Sequence, residues 1–437
     1  MHAIYLKINQ DVFTLHGEGL APPLRGCSRQ PTQLLSNGHC LERLILVIQG
    51  TPAQSRQVLA RLQSFLERIH LGQEAALHLQ VEPRSDFYHS RLYRGDFTWV
   101  ANSVQVKGFG LELELERDDF WEGATHSLPL SNRHGTQVSG GLQVDNRSDG
   151  YGENQLTWAS GEVLGELPTP AQLFIIHDQD PTHSFRNIYT GMLRGIEDNL
   201  PVIEGELADS GVTFNIMLDP ACNGGSYGRA QWSGNTEMQL FSWNFSQVFT
   251  GSLTGLPLRP YLRFPVGFVC EQDIWLYWTL DQDGLIYQSE PIRLETDRQL
   301  QALPILRLPA ACSAYENLAD IQVNLVGKAV SSGPHTLSLD AVFLLGLDGF
   351  RHYQALEGGQ LNSGKTLVDL NDQSPPILVN EQDQKIQRTF QSTGAGIWLT
   401  PYEHQSLGIL LDQGADMPLG SSVRVEIRYR PRVRVLP

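Results

Sequence analysis

The sequence predicts a mainly β protein: an α+β unit with one helix at the N-terminus, followed by β-sandwich domains of jelly-roll type. Three observations carry this. One segment of the 437 residues has sustained helical periodicity. Elsewhere short strand-like runs recur, separated by clusters of Gly, Pro, Asn or Asp. The 41 glycines and 24 prolines suit many short strands joined by turns, and they sit badly with a helical protein.

The chain begins with polar–apolar alternation over residues 1–19, without a basic stretch leading into an apolar run, so no signal peptide is expected. Leu44–Ile48 is an apolar run of the buried-strand kind. Thr51-Pro52-Ala53-Gln54 then has the chemistry of a helix start: an N-cap Thr, a Pro at the first helical position and a Gln able to close a capping box. Val58, Leu62, Phe65, Leu66 and Ile69 follow at helical spacing, and Gly72 stops the run, which predicts an amphipathic helix packed by one face. Ala76–Val81 alternates, and Leu111–Glu116 alternates strictly, with leucines on one face and glutamates on the other. One helix across these strands makes a unit ending near Trp121-Glu122-Gly123. Later strands are expected around Leu142–Val144, Leu173–Ile176, Trp275–Leu280, Ile321–Val326, Leu337–Leu345, Gly408–Leu411 and Val423–Arg430. Composition shifts near Asn199-Leu200-Pro201 and again near Leu308–Ala311, and aromatic strand positions gather between them around Trp232, Trp243, Phe245, Trp275 and Trp278.

A net charge of -16 argues against a nucleic-acid partner, which requires a basic footprint, and against a bare anionic membrane. No apolar stretch approaches the length of a membrane span. Cys27, Cys40, Cys222, Cys270 and Cys312 are scattered and form no C-x-x-C pair, so they read as reduced core residues rather than zinc ligands or a disulfide framework.

Candidate sites are few. Tyr227, Trp232, Trp243, Trp275 and Trp278 could stack on pyranose rings; equally, they could fill a sandwich core. Alternation puts Trp275 and Tyr277 on one face, Leu276 and Trp278 on the other. The turns Asp281–Gly284 and Asp145–Gly150 look faintly like calcium loops but lack the ligand series ending in a bidentate glutamate, so no metal and no cofactor is expected. Asp118 with Asp119, or Asp340 with Asp369, could be nominated as a glycosidase pair, but the neighbours Asp118 and Asp119 would point to opposite faces of a strand, and no nucleophile-elbow, zincin or P-loop pattern occurs. The expectation is a protein that is not an enzyme, with no catalytic residue. Arg424, Arg428, Arg430, Arg432 and Arg434 stand out in so acidic a chain, either as the charged guard of an edge strand or as an interface for an acidic neighbour.

Residues 1–123 resemble the N-terminal domain of siphophage distal tail proteins. The resemblance rests on the opening strand, the apolar strand leading into Gly50-Thr51-Pro52, the single helix, the strand Tyr88–Tyr93 and a closing strand before Asp118–Gly123. Leu128–Asn132, Gly165–Pro170, Ser338–Leu345 and Arg428–Arg432 are similar to later phrases of such proteins, and Ala221–Gly228 is similar to the start of some carbohydrate-binding modules. The resemblance implies a split β-barrel over 1–123 that attaches to a tail tube and closes into a ring, hexameric in that family. It further implies a discontinuous jelly roll from 124–205 with 312–437, and an inserted carbohydrate-binding-like jelly roll over 206–311. The implied role is structural, at the tail tip or baseplate of a phage or phage-like particle. Its partners would be further copies of itself, the tube protein, a tip or hub protein and a host-surface glycan. The implied place is the virion tail tip, with assembly in the host cytoplasm. A free lectin and a glycan-degrading enzyme are the alternatives, and neither needs the N-terminal α+β unit.

Overall fold

The computed structural model describes residues 2–20, 22–83, 85–100, 109–146, 153–178, 183–195, 202–244, 255–269, 273–282, 285–295, 298–307, 321–357, 359–372, 374–380, 385–386, 389–413 and 421–436. It is mainly β, with one α-helix among the described residues. Two compact units form: Met1–His126 with Leu164–Thr169 and Arg430–Pro437, and Ser127–Val163 with Pro170–Tyr429.

In the first unit an antiparallel sheet runs in the order Asp11–His16, Ala3–Ile8, Ala75–Gln80, Phe87–Trp99, Phe109–Arg117, Cys40–Ile48 and Leu24–Arg29. The helix Pro52–His70 starts as its sequence requires: Thr51 Oγ1 accepts from the Gln54 amide, and the Gln54 side chain accepts from the Thr51 amide at 3.0 Å. Its buried stripe, Val58, Leu62, Phe65, Leu66 and Ile69, joins the core made by Leu111, Leu113, Leu115, Leu44 and Leu46. The run 44–48, read as buried on both faces, is buried on one: Leu44, Leu46 and Ile48 face the core, while Ile45 and Val47 are half-buried. The strand also extends back to Cys40, and that extension brings Glu42 onto the core face, where no glutamate was expected.

Glu42 is met there by Arg117, which continues the leucine row of its own strand. The two side chains are 0% and 2% exposed and are joined at 3.0 Å. Arg29 also bonds Glu42, and Trp121 lies under both guanidinium groups, 4.3 Å from Arg117 and 5.4 Å from Arg29. A buried carboxylate is therefore matched by two cations that share an aromatic face.

Both later segments of this unit attach beside Trp121. Arg432–Val433 pairs with Trp121–Glu122, the Gly123 amide donates to the Pro431 carbonyl at 2.9 Å, and the Glu166 amide donates to the Arg432 carbonyl at 2.7 Å. The unit expected to end at Gly123 thus draws its last strand from the far end of the chain.

Among its described residues the second unit contains two sets of sheets. In one set, Leu142–Asp145, Ser422–Tyr429, Thr169–His177, Lys365–Asp369 and Ile377–Asn380 lie in one sheet, and a seven-stranded sheet centred on Gln405–Asp412, Asn187–Arg194 and Asp348–Ala355 lies in another; Leu173, Ile175, Val425, Ile427, Ile409 and Leu411 share their common core. In the other set, strands from Ile203–Glu204 to Ala341–Gly346 pair among themselves in three smaller sheets around a second core. This set is wider than the 206–311 expected of an inserted module: Ile321–Ala329, Pro334–Leu339 and Ala341–Gly346 pair with Glu237–Asn244, Ser226–Ser233 and Pro257–Arg263. The run 337–345, read as one strand, breaks at Asp340, whose amide donates to the Arg263 carbonyl and whose carboxylate receives the Asn223 amide. Its two halves enter different sheets.

Candidate functional site: an aromatic cleft

The strand Ile274–Gln282 pairs along one edge with Ile321–Ala329, and that strand pairs in turn with Glu237–Asn244. Burial follows the alternation of this strand only in part. Leu276 and Trp278 turn inward, at 0% and 3% exposure. On the opposite face Trp275 is 37% exposed, but Tyr277 is only 5% exposed. Trp278 donates its indole N–H to the Pro304 carbonyl at 3.0 Å, and Trp243 does the same to Glu204. Trp232 is buried beside His335, with ring centroids 5.3 Å apart. Trp232, Trp243 and Trp278 therefore fill the core, and the expectation that they offer a sugar platform fails on burial; they stack on nothing from solvent.

Trp275 opens onto a cleft of about 410 Å³ lined by Asn235, Glu237, Tyr277, Gln288, Pro291 and Lys328 among others. Burial and a hydrogen bond to Glu237 push the Tyr277 hydroxyl up to about 12. An exposed indole beside amide, ammonium and carboxylate groups suits a polyhydroxylated ring, whose C–H face stacks and whose hydroxyls bond at the rim. Tyr227, half-buried on Ser226–Ser233, is not among the lining residues. Sequence reasoning missed Asn235, Glu237, Gln288 and Lys328, because only the strand register brings them to Trp275.

The arginine series is largely satisfied within each unit. In the second unit Arg424 makes an ion pair with Asp178 and bonds the Gly140 carbonyl, while Arg428 pairs with Glu426 at 2.8 Å and lies 4.3 Å over Phe174. The strand carrying them is no edge: it runs between Leu142–Asp145 and Thr169–His177, which corrects the edge-guard reading. In the first unit Arg432 pairs with Glu122 at 2.7 Å and covers Phe120 at 4.0 Å, Arg430 bonds His89 and Thr125, and the Arg434 amide donates to Glu166. Burial draws the Glu122 carboxyl upward, but His89 and Arg432 outweigh it and hold it at about 2.

Asp340 and Asp369, weighed as an acid pair, are each buried against an arginine, Arg263 and Arg351, rather than set across an open cleft. Of the two calcium-like turns, residues 147–150 and 283–284 lie outside the described residues, as do Cys270, Cys312 and Phe245. Cys27, Cys40 and Cys222 are free thiols. Among the described residues no helix is long and apolar enough to cross a membrane.

No protein-family model and no curated protein matches this chain. Solved structures similar to it include the Dit protein of phage SPP1, described as a paradigm of the hub adsorption apparatus in phages infecting Gram-positive bacteria, at 8% identity and a TM-score of 0.35 over 98% of each chain. The phage P2 baseplate in its activated conformation with Ca is similar at 10% identity and a TM-score of 0.24, over 76% of this chain and 99% of that one. An exo-β-1,3-galactanase from Phanerochaete chrysosporium is similar at 11% identity and a TM-score of 0.19, over 74% of this chain and 81% of the other.

Proposed function

We propose that this chain is a structural, non-catalytic component of the tail tip or baseplate of a phage or phage-like particle. Residues of the first unit would form a ring on the tail tube, and the Trp275 cleft would contact a glycan of the host surface. The assembly reading rests on the sequence resemblance over the helix-bearing N-terminal unit, which a free lectin or hydrolase does not need. A single observation carries the glycan reading: of the four tryptophans considered, Trp275 alone is substantially exposed, and it sits in a cleft rimmed by Asn235, Gln288 and Lys328.

Two measurements test this. Negative-stain images of the full chain with its tube protein should contain closed rings, because a heterologous contact that closes buries the same two patches on every copy. A protein that stays monomeric and fails to join the tube overturns the assembly reading. On a glycan array, Trp275→Ala should lose binding by about tenfold or more while stability changes by under about 1 kcal/mol, since an exposed anchor leaves no core void. Trp278→Ala should instead cost roughly 3–5 kcal/mol. Undiminished binding by Trp275→Ala removes the cleft from the proposal.

A further inference from the structure

We infer that the Trp275 cleft selects acidic saccharides, those carrying a carboxylate or phosphate, over neutral ones; this rests on the glycan reading of the same cleft. The inference comes from register. Trp275 is paired directly with Lys328 on one neighbouring strand and with Arg293 on the other, and Lys328 is paired in turn with Glu237. One row across four strands therefore reads Glu237, Lys328, Trp275, Arg293. In a chain of net charge -16, the exposed indole lies between two cations.

Strand spacing decides which charges a stacked sugar meets. Adjacent strands are ~4.8 Å apart, so an acid group over the indole lies about one strand spacing from both cations. Glu237 lines the same cleft and bonds Tyr277, and Asp273 stands two residues before Trp275, just ahead of its strand, so each cation meets the ligand as one half of an ion pair. Both cations have carboxylate partners, Lys328 with Glu237 at 3.6 Å and Arg293 with Asp273 at 3.1 Å. All four side chains are more than half exposed, between 52% and 59%. Pairs that open to solvent bind weakly, so an arriving anion can share the cations without first breaking a strong contact. Arg293 is not among the lining residues and stands on the flank of the cleft, where its planar fork suits a carboxylate or phosphate projecting from a stacked ring, while Lys328 in the lining adds a mobile point charge.

The test is an array of the full chain against uronate-bearing, sialylated and phosphorylated oligosaccharides, each printed beside a neutral counterpart. Wild type should prefer the acidic member of a pair by about tenfold or more, and raising salt should narrow that gap. Arg293→Gln should lower acidic binding by about tenfold and leave neutral binding unchanged; Lys328→Gln, at the rim of the cleft, should lower acidic binding far more than neutral binding, and the two combined should abolish the preference. Equal binding of acidic and neutral members, or a preference that survives both substitutions, overturns this inference while leaving the glycan reading intact. An array on which the wild type binds nothing overturns that reading and this inference together.

Discussion

Arg117→Ala should destabilise the first unit by about 3–5 kcal/mol, the cost of removing one partner from a buried ion pair. The substitution leaves the Glu42 carboxylate, at 0% exposure, with Arg29, itself 27% exposed, as its one remaining cation among the described residues. It also strips Trp121, a fully buried ring, of the guanidinium 4.3 Å above it. Arg43→Ala is the matched control on the same strand pair. Arg43 bonds Glu114 at 2.8 Å, but these side chains are 38% and 37% exposed, and such surface pairs contribute up to about 1 kcal/mol. Hydrogen exchange in the helix Pro52–His70, read together with calorimetry of the full chain, separates the two. The helix amides should lose protection in Arg117→Ala and keep it in Arg43→Ala. Equal losses would mean that the buried pair is no more important than its exposed neighbour.

The contrast between those two pairs also marks what the sequence could reveal. Local rules wrote the helix: its capping box, its Pro at the start, its apolar stripe and Gly72 all lie within about twenty residues. The Leu–Glu alternation of 111–116 likewise needed only its own period. Glu42 broke the pattern of its strand, and its reason is Arg117, a partner 75 residues away. The same holds at Asp340. An uninterrupted apolar run invites one strand, yet the chain turns there because Arg263 and Asn223, both remote in sequence, take its polar groups. In the cleft, alternation set Trp275 and Tyr277 on the face opposite Leu276 and Trp278, but a period of two cannot say that Trp275 is wet while Tyr277, at 5% exposure, is not. That is decided by which strands lie alongside, and the same register that exposes Trp275 places Lys328 and Arg293 beside it.

The buried acids around Asp340 set the second large effect: stability of the second unit should fall by about 2 kcal/mol between pH 6.5 and pH 8. Burial, with Glu206 and Asp340 nearby, pushes the Glu204 carboxyl up to about 8, while Asn223 bonds it and pulls in the other direction. Burial likewise raises Asp340 to about 7 in spite of Arg263 and the Asn223 amide. A carboxyl raised in the folded state stabilises fully below its unfolded pKa and loses that contribution as pH climbs through the folded value. For these two groups the loss runs from about pH 4 up to about pH 8. His352 opposes it in the lower part of that range: burial holds its imidazole at about 4, so its contribution grows as pH rises to the ordinary value of 6.5 and is constant above. Above pH 6.5 the raised acids set the slope among the described groups of this unit. Holding about one extra proton over 1.5 pH units, at ~1.4 kcal/mol each, gives the 2 kcal/mol. Glu204→Gln keeps an acceptor for Asn223 and carries no charge, so at pH 8 it should be more stable than wild type, with most of the slope gone. Melting the full chain and this variant at several pH values between 6.5 and 8 decides it. A wild-type curve that is flat or rising there, or a variant with the same slope as wild type, would show that the acids around Asn223 do not hold the extra proton.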